Sequence, residues 1–135
     1  MLAAGYATRL YPITKNFPKP LLTVARKEIM TRLIEKIEET HIDKIIIITN
    51  AKFYPLFESW RGALNSGIPI TILNDLTTSN EERLGAVGDL NYTINKGEID
   101  DDILVIPGDN IFDFSFTKLI DFFIEKKSPV IAVSD

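Results

Sequence analysis

The residues with the strongest chemical character lie in one short stretch, Leu2–Leu22, which reads LAAGYATRLYPITKNFPKPLL. It holds Arg9, Lys15 and Lys19 but no acid. That composition suits an anion. Gly5 lets backbone N–H groups come close to a ligand. Arg9 offers a planar fork of donors matched to phosphate oxygens. Lys19, set between Pro18 and Pro20, carries its charge on a backbone that is already stiff. A second loop, Pro107–Asn110 (PGDN), places the carboxylate of Asp109 directly after an apolar run.

The charge distribution supports a local anion site. The net charge is −4, yet residues 1–27 carry five cations and no acid, while the remainder carries 10 Lys and Arg against 19 Asp and Glu. A nucleic-acid binder needs a broad basic face, which this acidic chain lacks. One basic segment fits a phosphorylated small molecule. With no cysteine, thiolate catalysis, disulfides and cysteine-ligated zinc are excluded. No apolar run approaches the roughly 18 residues that span a bilayer, and the first residues lack the shape of a secretory signal, so the expected location is cytoplasmic, with no membrane partner.

The elements that must position these loops alternate between two periodicities. Lys44–Thr49, Ile68–Leu73, Asp102–Ile106 and Val130–Val133 are short β-branched runs expected to be strands buried on both faces. Ile29, Met30, Leu33, Ile34 and Ile37 recur at helical spacing in a segment ending near Thr40, as do Leu56, Phe57, Trp60 and Leu64 before Gly67. A third helix is expected from a cap at Ser79 or Asn80 to Gly97, with Leu84, Val87, Leu90 and Ile94 inward. A fourth begins at Ser115, with Phe116, Leu119, Ile120, Phe123 and Ile124 inward. Alternating strands and helices imply an α/β fold, a mostly parallel, Rossmann-like sheet between helical layers. In such sheets ligands collect where the loops leave the carboxyl ends of the strands, and both chemically marked loops fall there.

These residues resemble the nucleotidyltransferases that make nucleoside-diphosphate sugars, such as glucose-1-phosphate thymidylyltransferase, and their relatives that activate choline phosphate. The family signature is similar to L-A-A-G-x-G-T-R-L-x-P-x-T-x-x-x-P-K-P. Here Leu2-Ala3-Ala4-Gly5-Tyr6-Ala7-Thr8-Arg9-Leu10-Tyr11-Pro12-Ile13-Thr14 is followed by Pro18-Lys19-Pro20, with one departure, at Ala7. The likeness continues through Gly108-Asp109-Asn110 and over the whole chain.

The resemblance implies attack by an acceptor phosphate on the α-phosphorus of a nucleoside triphosphate, expelling pyrophosphate, with catalysis by positioning and charge neutralisation. Arg9 and Lys19 would be the catalytic cations, on the leaving pyrophosphate and the reacting phosphates. Leu2, Ala3, Ala4, Gly5, Tyr6, Ala7, Thr8 and Arg9 would cradle the nucleotide, with Asn74 and Gly85 at the base. Asp109 would ligate Mg²⁺. The expected partners are a pyrimidine nucleoside triphosphate and a phosphorylated small-molecule acceptor, with a homo-oligomer possible. A sugar 1-phosphate is the first choice of acceptor. The long loop from Asn74 to Gly85 also resembles the choline-phosphate cytidylyltransferase branch.

Each feature has a plainer counterpart: Arg9 as a surface cation, Pro18-Lys19-Pro20 as a rigid turn, Asp109-Asn110 as a turn or helix cap. Ala7 adds a methyl where the family has glycine, a strain if that position needs positive φ. Family members carry about four more residues before Leu2, forming a central strand, and roughly a hundred after the last residue, carrying the acceptor pocket. The resemblance therefore implies a chain truncated at both ends, residues 1–135 being the nucleotide-binding half and competent at most for weak nucleotide binding. A non-catalytic nucleotide-binding regulatory or assembly module is a further reading. A flavodoxin-like or dinucleotide-binding domain is disfavoured, because Pro12, Pro18 and Pro20 forbid a helix directly after the glycine.

Overall fold

The computed structural model describes residues 1–133. A small antiparallel hairpin, β1 (Thr23–Val24) and β2 (Lys27–Glu28), leads into helix α1 (Ile29–Glu38). Strand β3 (Ile45–Thr49), helix α2 (Tyr54–Ala63), strand β4 (Ile70–Asn74), helix α3 (Gly85–Lys96) and helix α4 (Phe116–Lys126) follow. β3 and β4 pair in parallel, from Ile45 opposite Ile70 to Thr49 opposite Asn74. The four consecutive isoleucines of β3 suit a strand with both faces covered, and Ile45, Ile47 and Ile48 are buried.

Residues 1–4 lie in the middle of this arrangement. Leu2 bridges Ile48 on one side and Pro107 on the other, both in the parallel sense. The bonds run Ala3 N–H to the Ile48 carbonyl at 2.9 Å, Leu2 N–H to Ile106 at 2.9 Å and Gly108 N–H to Leu2 at 2.8 Å. The spatial order is β4, β3, the Leu2 segment, then the 103–107 segment, so the opening stretch and the PGDN loop leave the same end of neighbouring extended segments. The 102–106 run, expected as a strand, is extended with this single bridge rather than a ladder, since Leu2 alone pairs with it.

Gly108 sits where the backbones converge. A Cβ there would lie 2.8 Å from Met30 Cε, 3.0 Å from the Leu2 carbonyl and 3.3 Å from Ala3 Cβ. Gly108→Ala is therefore expected to lower stability by about 1–3 kcal/mol through overpacking. Urea denaturation should show this as a shifted midpoint with an unchanged slope.

The core is built by α1, whose Ile29, Met30, Leu33, Ile34 and Ile37 are all buried, with Phe53, Phe57 and Phe116 beside them. Phe57 is fully buried, while Leu56, Trp60 and Leu64 pack on its margin, and the Trp60 indole N–H donates to Thr31 Oγ1 at 3.0 Å.

Three expectations fail. The third helix begins at Gly85, not at a Ser79 or Asn80 cap, because Glu82 turns back to accept from the Thr78 N–H at 3.1 Å and its hydroxyl at 2.8 Å. That closed turn occupies the residues a longer helix would need. Leu84 and Val87 consequently face outward, Val87 being 83% exposed, and the buried positions of α3 are the polar Asp89 and Thr93. On α4, Phe116 is buried but Ile124 is exposed. The 130–133 run forms no strand: it has no ladder partner among the described residues, and Ile131 and Val133 are exposed.

Candidate functional site

The opening stretch forms a loop whose carbonyls are tied from behind. Thr49 Oγ1 donates to the Ala3 carbonyl at 3.3 Å, Asn50 Nδ2 to Ala4 at 2.9 Å and Thr14 Oγ1 to Ala7 at 2.7 Å. Thr14, Thr49 and Asn50 are completely buried, so these bonds are shielded from water. Among the described residues, no acceptor takes the N–H groups of Ala4, Gly5, Tyr6, Ala7, Thr8 or Arg9. A run of unpaired amides, with carbonyls held inward, is an arrangement that binds anions.

Tyr6 anchors the loop. Its ring is buried, 6.0 Å from Phe53, and its hydroxyl donates to the Thr77 carbonyl at 3.2 Å. Burial pushes the Tyr6 phenol upward, reinforced by the charge of Asp75. Thr8–Leu10 is a single 3-10 turn, so the prolines do prevent a helix here. Arg9 lies exposed on that turn with no carboxylate partner among the described residues.

Ala7, the one departure from the signature, has φ 46° and ψ 44°, in the left-handed region. A Cβ there costs roughly 1–2 kcal/mol, partly offset by the greater unfolded-state freedom of glycine. Ala7→Gly is expected to raise stability by about 0.5–1 kcal/mol. Thermal unfolding checks this; a loss of stability would mean that the Ala7 methyl makes a compensating contact.

The structure brings together two residues singled out for different roles. Lys19 stands on a 3-10 turn, Lys19–Leu21, flanked by the buried prolines Pro18 and Pro20. Its Nζ lies 2.9 Å from Asp109 Oδ2, the side chains being 30% and 44% exposed. An ion pair this exposed contributes at most about 1 kcal/mol. Each partner is thus available to a competing charge at small cost, a phosphate for Lys19 and a cation for Asp109.

Asn74 ends β4, and its Oδ1 accepts the N–H of Leu76 at 2.8 Å. The oxygen is therefore engaged, and Nδ2 has no acceptor among the described residues. Leu76, at φ 69°, is an exposed leucine held in the left-handed region, a strained arrangement of the kind found in ligand-binding turns. Gly85 opens α3 at φ 76°, with open space where a Cβ would be. Asn74 and Gly85 stand at opposite ends of the intervening loop, and among the described residues no hydrogen bond joins them to Lys19 or Asp109.

Sequence reasoning missed the supporting tier. Thr14 was visible only as a position of the signature, and Asn50 gave no signal. Asp75 and Asp89 gave no signal; the burial of Asp89 follows from the late start of α3 at Gly85. Among the described residues no three histidine, aspartate or glutamate side chains converge as a group that could hold a metal. No helix among the described residues is long and apolar enough to cross a membrane.

The protein is thus an α/β protein with a parallel sheet that carries, at one end, a loop of unpaired amides and a lysine–carboxylate pair, an arrangement suited to an anion. Residues 1–134 match the family described as Nucleotidyl transferase, and the chain belongs to that family. The bifunctional protein GlmU of Methanococcus maripaludis (strain C5) is 35% identical over 122 residues, covering 90% of this chain and 27% of that protein. A Sulfolobus acidocaldarius protein assigned as a mannose-1-phosphate guanyltransferase is 30% identical over 122 residues, covering 90% of this chain and 32% of its own. The crystal structure of a Bacillus anthracis protein assigned as a glucose-1-phosphate thymidylyltransferase, in complex with a sucrose, superposes with a TM-score of 0.80 at 29% identity, covering 93% of this chain and 49% of that one. The chain thus spans about a quarter to a half of the length of these relatives.

Proposed function

We propose that this protein transfers a nucleoside monophosphate from a nucleoside triphosphate to a sugar 1-phosphate, releasing pyrophosphate, and that residues 1–135 supply the nucleotide-binding half. The observation that carries the proposal is the joint placement of the unpaired amides of Ala4–Arg9 and the Lys19–Asp109 pair at the ends of adjoining extended segments. The sugar 1-phosphates in the names of two relatives favour that acceptor over choline phosphate. The acceptor-binding half lies outside residues 1–135 on this reading, consistent with the share of each relative that the chain spans.

Both reactants are anions, so the chain's task is to hold them together against repulsion. The loop amides from Ala4 to Thr8 orient the triphosphate, those of Leu2 and Ala3 being taken by Ile106 and Ile48; Arg9 takes the departing pyrophosphate and Lys19 the reacting phosphates. Asp109 fits Mg²⁺, which is commonly held by one or two carboxylates together with substrate phosphates. When bound, Mg²⁺ would supply charge neutralisation of the phosphates. Lys19 keeps Asp109 paired until then.

The names of the relatives differ in nucleotide, so the base is argued from this chain. With one lone pair of Asn74 Oδ1 taken by the Leu76 N–H, the Nδ2 donor is the part of the side chain left wholly without a partner among the described residues. A donor pairs with the O4 carbonyl of uracil or thymine and opposes the amino group of cytosine, which favours UTP or dTTP. Gly85, without a side chain, leaves room at the far end of the loop.

The test is pyrophosphate release by the protein carrying its acceptor-binding half, with UTP, dTTP, CTP and GTP offered against glucose 1-phosphate, mannose 1-phosphate and choline phosphate. Release from UTP or dTTP with a sugar 1-phosphate is the expected result. Release with choline phosphate alone would move the protein to the cytidylyltransferase class, and nucleotide binding without release would reduce it to a binding module.

A further inference from the structure

Two carboxyl groups take no part in the chemistry above and lie buried beneath it. Asp75 follows β4 and is 5% exposed; Asp89 is on α3 and is 6% exposed. Asp75 Oδ1 accepts the Thr77 N–H at 2.7 Å and its hydroxyl at 2.8 Å. Asp75 Oδ2 and Asp89 Oδ1 are both buried without a hydrogen-bond donor, and the Asp89 carboxyl is raised by burial first and then by the charge and hydrogen bonding of Asp75 beside it. Two carboxylates in such contact repel, and an orphaned buried oxygen is costly. One proton between them removes both penalties, because a protonated carboxyl donates and the ionised one accepts.

What the pair holds is a junction. The Thr77 carbonyl accepts from the Tyr6 hydroxyl at 3.2 Å and from the Ala51 N–H at 2.9 Å, and the Asp75 N–H donates to Thr49 at 2.9 Å. The turn at Thr77 therefore ties the Gly5 loop, the end of β3 and the end of β4 together. We propose that Asp75 and Asp89 share one proton and act as a positioning pair, clamping α3 to the turn at Thr77 and thereby fixing Tyr6 under the nucleotide loop.

The surrounding charges agree with this assignment. The groups acting on Asp89 are burial first and then Asp75, and together they hold its carboxyl up to about 6. Around Tyr6 the titratable neighbours are Asp75, Glu82 and Tyr11. Neither set includes a cation that would let both carboxyls ionise. Asp75 Oδ1 already accepts twice from Thr77, so Asp89 is the carboxyl that holds the proton. Loss of the shared proton above about pH 6 sets like charges against each other and loosens the turn.

The consequence for nucleotide rests on the reading of Ala4–Arg9 as the phosphate loop; the pair itself does not. The test has three readouts on wild type, Asp89→Asn and Asp89→Ala between pH 5 and pH 8. Carboxyl ¹³C titration of wild type should place Asp89 near 6. Amide exchange at Thr77, corrected for intrinsic rates, should quicken with pH in wild type by up to about a hundredfold, the bound set by a two-unit displacement. It should be flat in Asp89→Asn, where the amide supplies the missing donor permanently, and fast at every pH in Asp89→Ala. Affinity for UTP with Mg²⁺ should fall with pH more steeply in wild type than in Asp89→Asn, which controls for the ionisation of the nucleotide.

An Asp89 titrating near 4, an Asp89→Asn exchange profile that matches wild type, or an Asp89→Asn chain that does not fold would overturn the proposal. If titration and exchange behave as expected but UTP fails to bind at any pH, the pair stands and the nucleotide reading falls.

Discussion

Lys19→Met is expected to weaken the affinity for UTP with Mg²⁺ by about ten- to a hundredfold, roughly the 1.5–3 kcal/mol of a hydrogen bond to a charged group. The methionine keeps an apolar stem while removing the ammonium. Stability should change little, since the exposed pair with Asp109 contributes at most about 1 kcal/mol. A large affinity loss without a loss of stability separates a ligand-binding role from a structural one. Asp109→Asn should behave differently. It frees Lys19, so affinity for UTP without metal should hold or rise, while the increment from Mg²⁺ should disappear. Calorimetric titration of both variants checks this, and equal losses with and without metal in Asp109→Asn would contradict the assignment of Asp109 to the cation.

The second large effect concerns pH. Asp89 is raised from the ordinary 3.8 to about 6 by burial and by Asp75. Below about pH 4 the group is protonated in both folded and unfolded chains and costs nothing. Between about 4 and 6 the unfolded chain releases its proton while the folded chain retains it, so stability falls as pH rises and levels off above about 6. A displacement of about two units corresponds to roughly 3 kcal/mol from this group alone. Asp89→Asn should recover up to that amount at pH 8 and nothing at pH 4. Urea midpoints at the two pH values measure it, and a variant no more stable than wild type at pH 8 would show that Asp89 ionises freely in the folded chain.

The two features differ in how visible they were. Lys19 and Asp109 could be assigned from local sequence because each sits in a short motif at the end of an extended segment. Their 2.9 Å approach could not, since it spans 90 positions and depends on Leu2 drawing the 103–107 segment beside it. The α1 face was legible because five apolar residues at helical spacing all turn inward. The α3 face was not: Leu84 and Val87 fit the same period, but the Thr78–Glu82 turn delays the helix to Gly85 and rotates Asp89 and Thr93 into the interior. The β1–β2 hairpin escaped notice because its turn is Ala25-Arg26, at φ 48° and 68°, where glycine or asparagine is the usual signal. The strain at Ala7 was legible as a condition, since only the structure gives the sign of φ.

The 130–133 run shows the limit of composition. Its residues suit a strand, but strand structure needs a neighbour, and no pairing neighbour is present among the described residues. The Leu2 segment shows the converse. Few residues of strand character precede Gly5, yet Leu2 pairs on both sides because β3 and the 103–107 segment present bonding groups to it from either side. Its position carries the loop to the same end as Asp109.

The central claim is that the amides of Ala4–Arg9, with Lys19 and Asp109, form a site for the phosphates of a metal-bound nucleotide. The most direct measurement is calorimetric titration of the 135-residue chain with UTP, with and without Mg²⁺. Binding that strengthens on adding Mg²⁺, accompanied by chemical-shift changes at the amides of Gly5–Thr8, is the predicted result. A folded chain that binds no nucleotide, or binds it equally with and without metal and leaves those amides unmoved, would contradict the account.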